Sequence, residues 1–115
     1  MAIADIHGNA PGTDEALQEI VRRLADAYRP ERIYLFGSKA RGDFGPDSDY
    51  DLLVVVSDDA PPERRRGRLA YEAIRGTGIA ADMLVCTHSY FEGRRHLKAS
   101  LPGIVIREGK LLYAA

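Results

Sequence analysis

Apolar residues in this chain recur at helical spacing near the N-terminus and form unbroken runs further along. The helical stripe is Leu17, Ile20, Val21, Leu24 and Tyr28. It predicts a helix that begins at Thr13, a capping residue, and ends before Pro30. Apolar runs predict three strands, at 31–36, 49–56 and 79–86, and the unbroken run from Ile33 to Phe36 suggests that the first strand is buried on both faces.

The remaining segments carry weaker patterns. A helix is expected over roughly 62–75, between the second and third strands. Ser89 and Glu92 have the spacing of a capping box, which predicts a further helix to about residue 99. Residues 104–113 read as a terminal hairpin, and residues 1–12 read as a loosely ordered lead-in.

This order of elements predicts an α/β fold built as a single domain over residues 1–115. The strand–helix–strand connection makes the second and third strands parallel. If the first and second strands are antiparallel neighbours, the sheet is mixed. We expect the helices to pack mainly on one face of this mixed sheet.

Composition narrows the possible functions. The formal net charge of −1 gives no overall field that would draw the chain to nucleic acid. Cys86 is the single cysteine, which excludes an internal disulfide and a multi-cysteine zinc site. No apolar run approaches the roughly 20 residues of a membrane span, and the first residues lack the pattern of a signal peptide. The expected location is therefore the cytoplasm, with no membrane contact.

Acidic side chains open the second predicted strand and interrupt the third. Asp49 and Asp51 lie two residues apart, so on a strand they share a face at a separation of roughly 6.6 Å. Two ionised carboxylates at that spacing repel each other, and a divalent cation such as Mg²⁺ removes the conflict. Asp82 is an acid within an apolar strand, where burial is costly unless the group is paired or binds a metal. The three carboxylates are therefore candidate metal ligands.

The segment between the first two strands has the composition of a phosphate-binding loop. Gly37 permits close backbone approach, Ser38 offers a hydroxyl, and Lys39 and Arg41 are cationic donors. A structural alternative applies to the spacer at 42–48, because its residues are those that commonly form turns. An EF-hand reading of the acids fails, because Leu52 stands where that loop requires glycine.

Arginines cluster in the second predicted helix, at Arg64, Arg65, Arg66 and Arg68. Such a run usually forms a solvated face. The alternative is a docking patch for an acidic partner or RNA.

Two sequence blocks together resemble a known signature. Gly-Ser-x-Ala-Arg-Gly at 37–42 and Ser-Asp-x-Asp-Leu at 48–52 resemble the polymerase-β-like nucleotidyltransferase superfamily. Within it, the chain is similar to the minimal nucleotidyltransferases, which are often paired as antitoxins with a HEPN-domain toxin. The resemblance implies the nucleotidyltransferase fold. It also implies that Ser38 contacts the nucleotide triphosphate, that Asp49 and Asp51 hold metals, and that Asp82 is the third carboxylate.

The chemistry expected at such a site is nucleotidyl transfer assisted by two Mg²⁺ ions about 4 Å apart. The resemblance implies ATP as the nucleoside triphosphate, AMP as the transferred group and a hydroxyl of a HEPN partner as the acceptor. Two alternatives remain open. One is an antitoxin that neutralises its partner by contact without catalysis, and the other is a nucleotidyltransferase for a small molecule such as an aminoglycoside. A homo- or hetero-oligomer is compatible with each.

Overall fold

A computed structural model describes residues 2–3, 11–42 and 49–115, with side chains from Glu15 onward in the first helix. Within these residues a five-stranded sheet has the order β1-β5-β2-β3-β4. The strands are β1 (Ala2–Ile3), β2 (Arg32–Phe36), β3 (Tyr50–Val56), β4 (Ala81–Thr87) and β5 (Lys110–Ala114). Only β3 and β4 pair in parallel, and the other described pairs are antiparallel. The predicted mixed sheet is therefore confirmed.

Five α-helices connect or flank the described strands. They are α1 (Pro11–Tyr28), α2 (Gly37–Arg41), α3 (Arg68–Ala73), α4 (His88–Arg94) and α5 (Leu101–Glu108). A 3₁₀ turn, Pro62–Arg65, precedes α3, so the single helix predicted over 62–75 is divided in two. None of the helices in the described part of the chain is both long and apolar enough to cross a membrane.

Helices cover both faces of the sheet. Alternate side chains of β2, β3 and β4 pack with α1 and α3 in the larger core cluster. The intervening side chains Tyr34, Leu53 and Val55 pack instead with Phe91 of α4 and Val105 of α5. The Tyr34 and Phe91 rings stack with centroids 5.3 Å apart. The expectation that helices lie mainly on one face therefore holds only for the larger core, since α4 and α5 bury the second face as well.

The predicted terminal hairpin is wrong in its first half, because residues 101–108 form α5. Ser100 caps this helix, and its Oγ accepts a hydrogen bond from the Gly103 backbone N–H at 3.1 Å. Pro102 lies in the first helical turn, where its missing N–H has no helical partner to lose. Pro102 and Gly103 therefore lie in the first turn of a helix, and in the predicted hairpin only β5 is extended.

The helix expected from Ser89 to residue 99 is shorter than predicted and capped differently. Thr87 is the N-cap residue, with its Oγ1 accepting from the Tyr90 N–H at 3.3 Å. Ser89 instead donates from its backbone N–H to Asp58. Glu92 accepts from Arg32 at 2.9 Å, so both residues of the predicted capping box make tertiary contacts.

The loose ordering expected for residues 1–12 falls largely on residues 4–10, which lie outside the described residues. The described ends of this segment have regular structure. Ala2 and Ile3 pair with β5, and α1 begins at Pro11.

Candidate active site

The three candidate carboxylates lie at one edge of the sheet. Asp51 and Asp82 are register partners in the parallel β3–β4 ladder, so they stand side by side on the same face. Asp49 lies two residues before Asp51, immediately outside β3 and exposed. On the other side of β3, Phe36 at the end of β2 pairs with Asp51. The strand register therefore brings Asp51 and Asp82 together, with Asp49 two residues away along the chain.

The charges of the neighbouring side chains affect the pKa of the Asp51 carboxyl. Burial raises the pKa of the Asp51 carboxyl, and the negative charges of Asp82 and then Asp49 raise it further. The positive charge of Arg41 acts in the opposite direction. A partly buried acid flanked by two like charges is unfavourable for the fold, and such unfavourable electrostatics are common at functional sites.

The expected phosphate-binding loop is a single helical turn, α2, which follows β2 directly. Gly37 begins it with φ +74°, in the left-handed region that suits glycine. A Cβ added at Gly37 would lie 3.0 Å from Asp51 Cγ and would overlap Oδ2. The missing side chain at residue 37 therefore allows the acid to lie against the turn.

Ser38 and Gly42 complete this turn. Ser38 is the second residue of α2 and is half-buried. Its backbone carbonyl accepts a hydrogen bond from the Gly42 N–H at 2.9 Å. Gly42 closes the turn in the left-handed conformation, at φ +84°. The spacer that follows, residues 43–48, lies outside the described residues.

The two candidate phosphate-binding cations lie on opposite sides of α2. Lys39 Nζ is 4.6 Å from the ring centroid of Tyr50, which is buried in the core cluster that includes α1. Arg41 is close enough to Asp51 to lower its pKa, and its Nη1 lies 3.6 Å from Glu108 Oε1. Residues two apart in a helical turn differ by about 200° in direction, which explains the separation. Arg41 therefore shares the face of the acids.

Glu108 belongs to this neighbourhood and was not a candidate from the sequence. It is the last residue of α5 and pairs with Arg41 across the end of the sheet. The signal that could have found it was the cap at Ser100 followed by Pro102, because a helix from that point carries residue 108 back towards β2.

The donor set suits a hard divalent cation, although the side chains do not form a complete metal cage. Among the described residues, no group of three His, Cys, Asp or Glu side chains is spaced to hold a metal ion. Mg²⁺ commonly takes only one or two protein carboxylates and completes its coordination with water and substrate phosphates. Neighbouring pairs such as Asp49 with Asp51, and Asp51 with Asp82, fit that manner of binding.

A mixed sheet with acids at the start of two parallel strands, beside a glycine–serine turn, is the architecture of a nucleotidyl-transferring domain. Residues 17–108 match the protein family described as "Nucleotidyltransferase domain". The chain belongs to this family, and the sequence-based recognition of it is confirmed.

Known relatives and solved structures extend this comparison. A protein from Methanocaldococcus jannaschii named "Putative protein adenylyltransferase" is 30% identical over 102 residues, covering 87% of this chain and 97% of that protein. A chain in a crystal structure of a toxin–antitoxin complex with AMP-PNP superposes with a TM-score of 0.58 and 26% identity, over 85% of this chain and 73% of its own length. A second solved structure contains tri-AMPylated HEPN toxin from Shewanella oneidensis with its MNT antitoxin. It shares the fold at a TM-score of 0.55 and 22% identity, covering 89% of this chain and 72% of that one.

Proposed function

We propose that this nucleotidyltransferase-family protein transfers AMP from ATP to a hydroxyl group of a HEPN-type partner protein, as the antitoxin of a toxin–antitoxin pair. The observation that carries the proposal is the pairing of Asp51 with Asp82 next to the turn formed by α2. The relative named as a protein adenylyltransferase supports the reaction class, and the neighbouring complex with AMP-PNP supports ATP as donor. The Shewanella oneidensis complex, which contains AMPylated HEPN toxin, supports a HEPN-type protein as the acceptor.

The residues of α2 bind and position the triphosphate. Ser38 and Arg41 bind the β- and γ-phosphates at α2, with Gly37 allowing the phosphates to approach the backbone. Lys39 supports this turn from the opposite side through its contact with Tyr50. The triphosphate is thus held beside the acids.

Two Mg²⁺ ions are the proposed cofactors. Asp49 and Asp51 would hold the ion that accompanies the triphosphate, and Asp82 together with Asp51 would hold the second. When bound, the ions neutralise charge on the phosphates and on the carboxylates.

The reaction is an in-line displacement at the α-phosphorus. The acceptor oxygen forms a bond to phosphorus while the bond to the bridging oxygen breaks, and pyrophosphate leaves towards α2. The proton of the acceptor hydroxyl passes to the Asp82 carboxylate. Positioning and charge neutralisation provide most of the rate enhancement. The reaction is expected to take place in the cytoplasm.

The test is the mass of the partner after the two purified proteins are mixed with ATP and Mg²⁺. We expect a gain of one or more AMP units, which disappears in the double variant Asp49→Asn/Asp51→Asn without loss of the fold. The matched control is Asp26→Asn/Asp59→Asn, which removes two exposed acids elsewhere and should retain transfer. Full transfer by the Asp49/Asp51 variant would refute the proposed catalytic role. A complex that forms and inhibits the partner without any mass gain would show an antitoxin acting by contact alone.

A further inference from the structure

An apolar groove lies on the same face of the sheet as the acids, between the β3–β4 pair and α4. Its volume is about 430 Å³. Its lining consists of Leu53, Arg65, Leu84, Val85, Cys86, Thr87, Tyr90 and Leu101. Leu84 is 48% exposed and Tyr90 is 42% exposed, so much apolar surface in this groove remains open to solvent. We infer that the groove binds the segment of the acceptor protein that carries the hydroxyl group.

The groove is continuous with the catalytic edge. Leu53 follows Asp51 by two residues on β3, and Leu84 follows Asp82 by two residues on β4. Side chains two apart on a strand point to the same face and are about 6.6 Å apart. A chain segment in the groove can therefore place one of its residues at the acids while its next residues contact the exposed Leu84.

The order of the strands distinguishes an acceptor from the nucleotide as the occupant. The turn α2 follows β2, which lies on one side of β3, and the groove lies on the other side, towards β4. In an in-line displacement the leaving pyrophosphate and the attacking oxygen are on opposite sides of the α-phosphorus. With the phosphates held at α2, the attacking hydroxyl approaches from the side of the groove.

The lining also defines the chemistry of the segment. Burial raises the pKa of the Cys86 thiol to about 11, so that side chain is neutral and contributes apolar surface. Arg65 is exposed at the rim and, together with Arg64 and Arg66, has no carboxylate partner in the described part of the chain. The matching ligand is a protein segment with apolar side chains and a nearby acidic residue, next to the residue that accepts AMP.

This inference rests on the proposed function, and its test uses a purified HEPN-type protein as the probe. Leu84→Gln and Arg65→Glu are compared with Leu111→Gln and Arg75→Glu, which alter exposed residues outside the groove. The first pair should raise the KM for the HEPN-type protein about tenfold or more, because an apolar contact or a charge pair is lost. Neither pair should change the affinity for ATP with Mg²⁺. The control pair should behave as the unmodified chain.

Two results would overturn the assignment. If Leu84→Gln weakens ATP binding while the KM for the HEPN-type protein is unchanged, the groove holds the nucleoside. If all four variants behave alike, the groove has no part in the reaction.

A cross-linking experiment separates failure of docking from failure of catalysis. Benzoylphenylalanine placed at residue 84 should cross-link to the HEPN-type protein upon illumination, and the same group at residue 111 should not. Cross-linking at 84 without AMP transfer would support docking and refute the proposed reaction. Transfer without cross-linking at 84 would refute docking and leave the reaction supported.

Discussion

Gly37→Ala should inactivate the site at a small cost in stability. Residue 37 has φ +74°, and an alanine in that conformation costs about 1–2 kcal/mol. For a chain of this length the loss corresponds to a decrease in Tm of about 4–8 °C. The added Cβ would also overlap the Asp51 carboxylate, which must move away from the turn. A misplacement of about 1 Å at a reacting centre lowers the rate on the order of a hundredfold.

Gly42→Ala is the matched control for this variant. Gly42 has φ +84° at the other end of α2, and a Cβ there would meet nothing within 4 Å. The two variants should therefore lose similar stability, whereas only Gly37→Ala should lose activity. Thermal unfolding followed by circular dichroism gives the first quantity, and AMP transfer to the partner gives the second. If both variants retain equal activity, contact between residue 37 and Asp51 does not position the carboxylate.

Two further predictions concern charge at the site. Because the folded chain raises the pKa of Asp51, ionisation of this group costs stability as pH rises from the ordinary aspartate range through the raised value. Asp51→Asn should therefore have a higher Tm than the unmodified chain at pH 7, and the gain should vanish below about pH 3.9; a lower Tm at pH 7 would contradict this sign. Arg41→Ala should weaken binding of ATP with Mg²⁺ about tenfold or more, as expected for a charged hydrogen bond, whereas Lys39→Ala should change it much less. Isothermal titration calorimetry measures the affinity of each variant for ATP with Mg²⁺. An equal loss of affinity in both variants would show that Arg41 has no larger part than Lys39 in binding the phosphates.

The three-strand core and the place of the acids could be predicted because each depends on strong local patterns. Apolar runs define β2, β3 and, apart from Asp82, β4, and the crossover rule sets β3 and β4 parallel, which brings Asp82 to Asp51. Such inferences need no knowledge of side-chain packing. They were therefore reliable from one sequence.

The failures have physical causes. Ile104, Val105 and Ile106 are β-branched and suggested a strand, but the cap at Ser100 and packing of Val105 against the sheet favour a helix. The opposite directions of Lys39 and Arg41 depend on α2 being helical, which a short segment with a glycine at each end does not indicate. The part of the second sheet face that α5 covers could not be foreseen once that segment was interpreted as a hairpin.

The parallel register of β3 and β4 has a consequence for how the site assembles. No local turn can bring Asp51 and Asp82 together, because the two parallel strands that carry them are joined by the crossover containing α3, which packs against α1. A ligand that bridges the two carboxylates therefore stabilises the complete tertiary structure, and it does not stabilise either strand in isolation. In hydrogen-exchange experiments, nucleotide bound there should slow the amides of β4 and α3 together, as one cooperative unit.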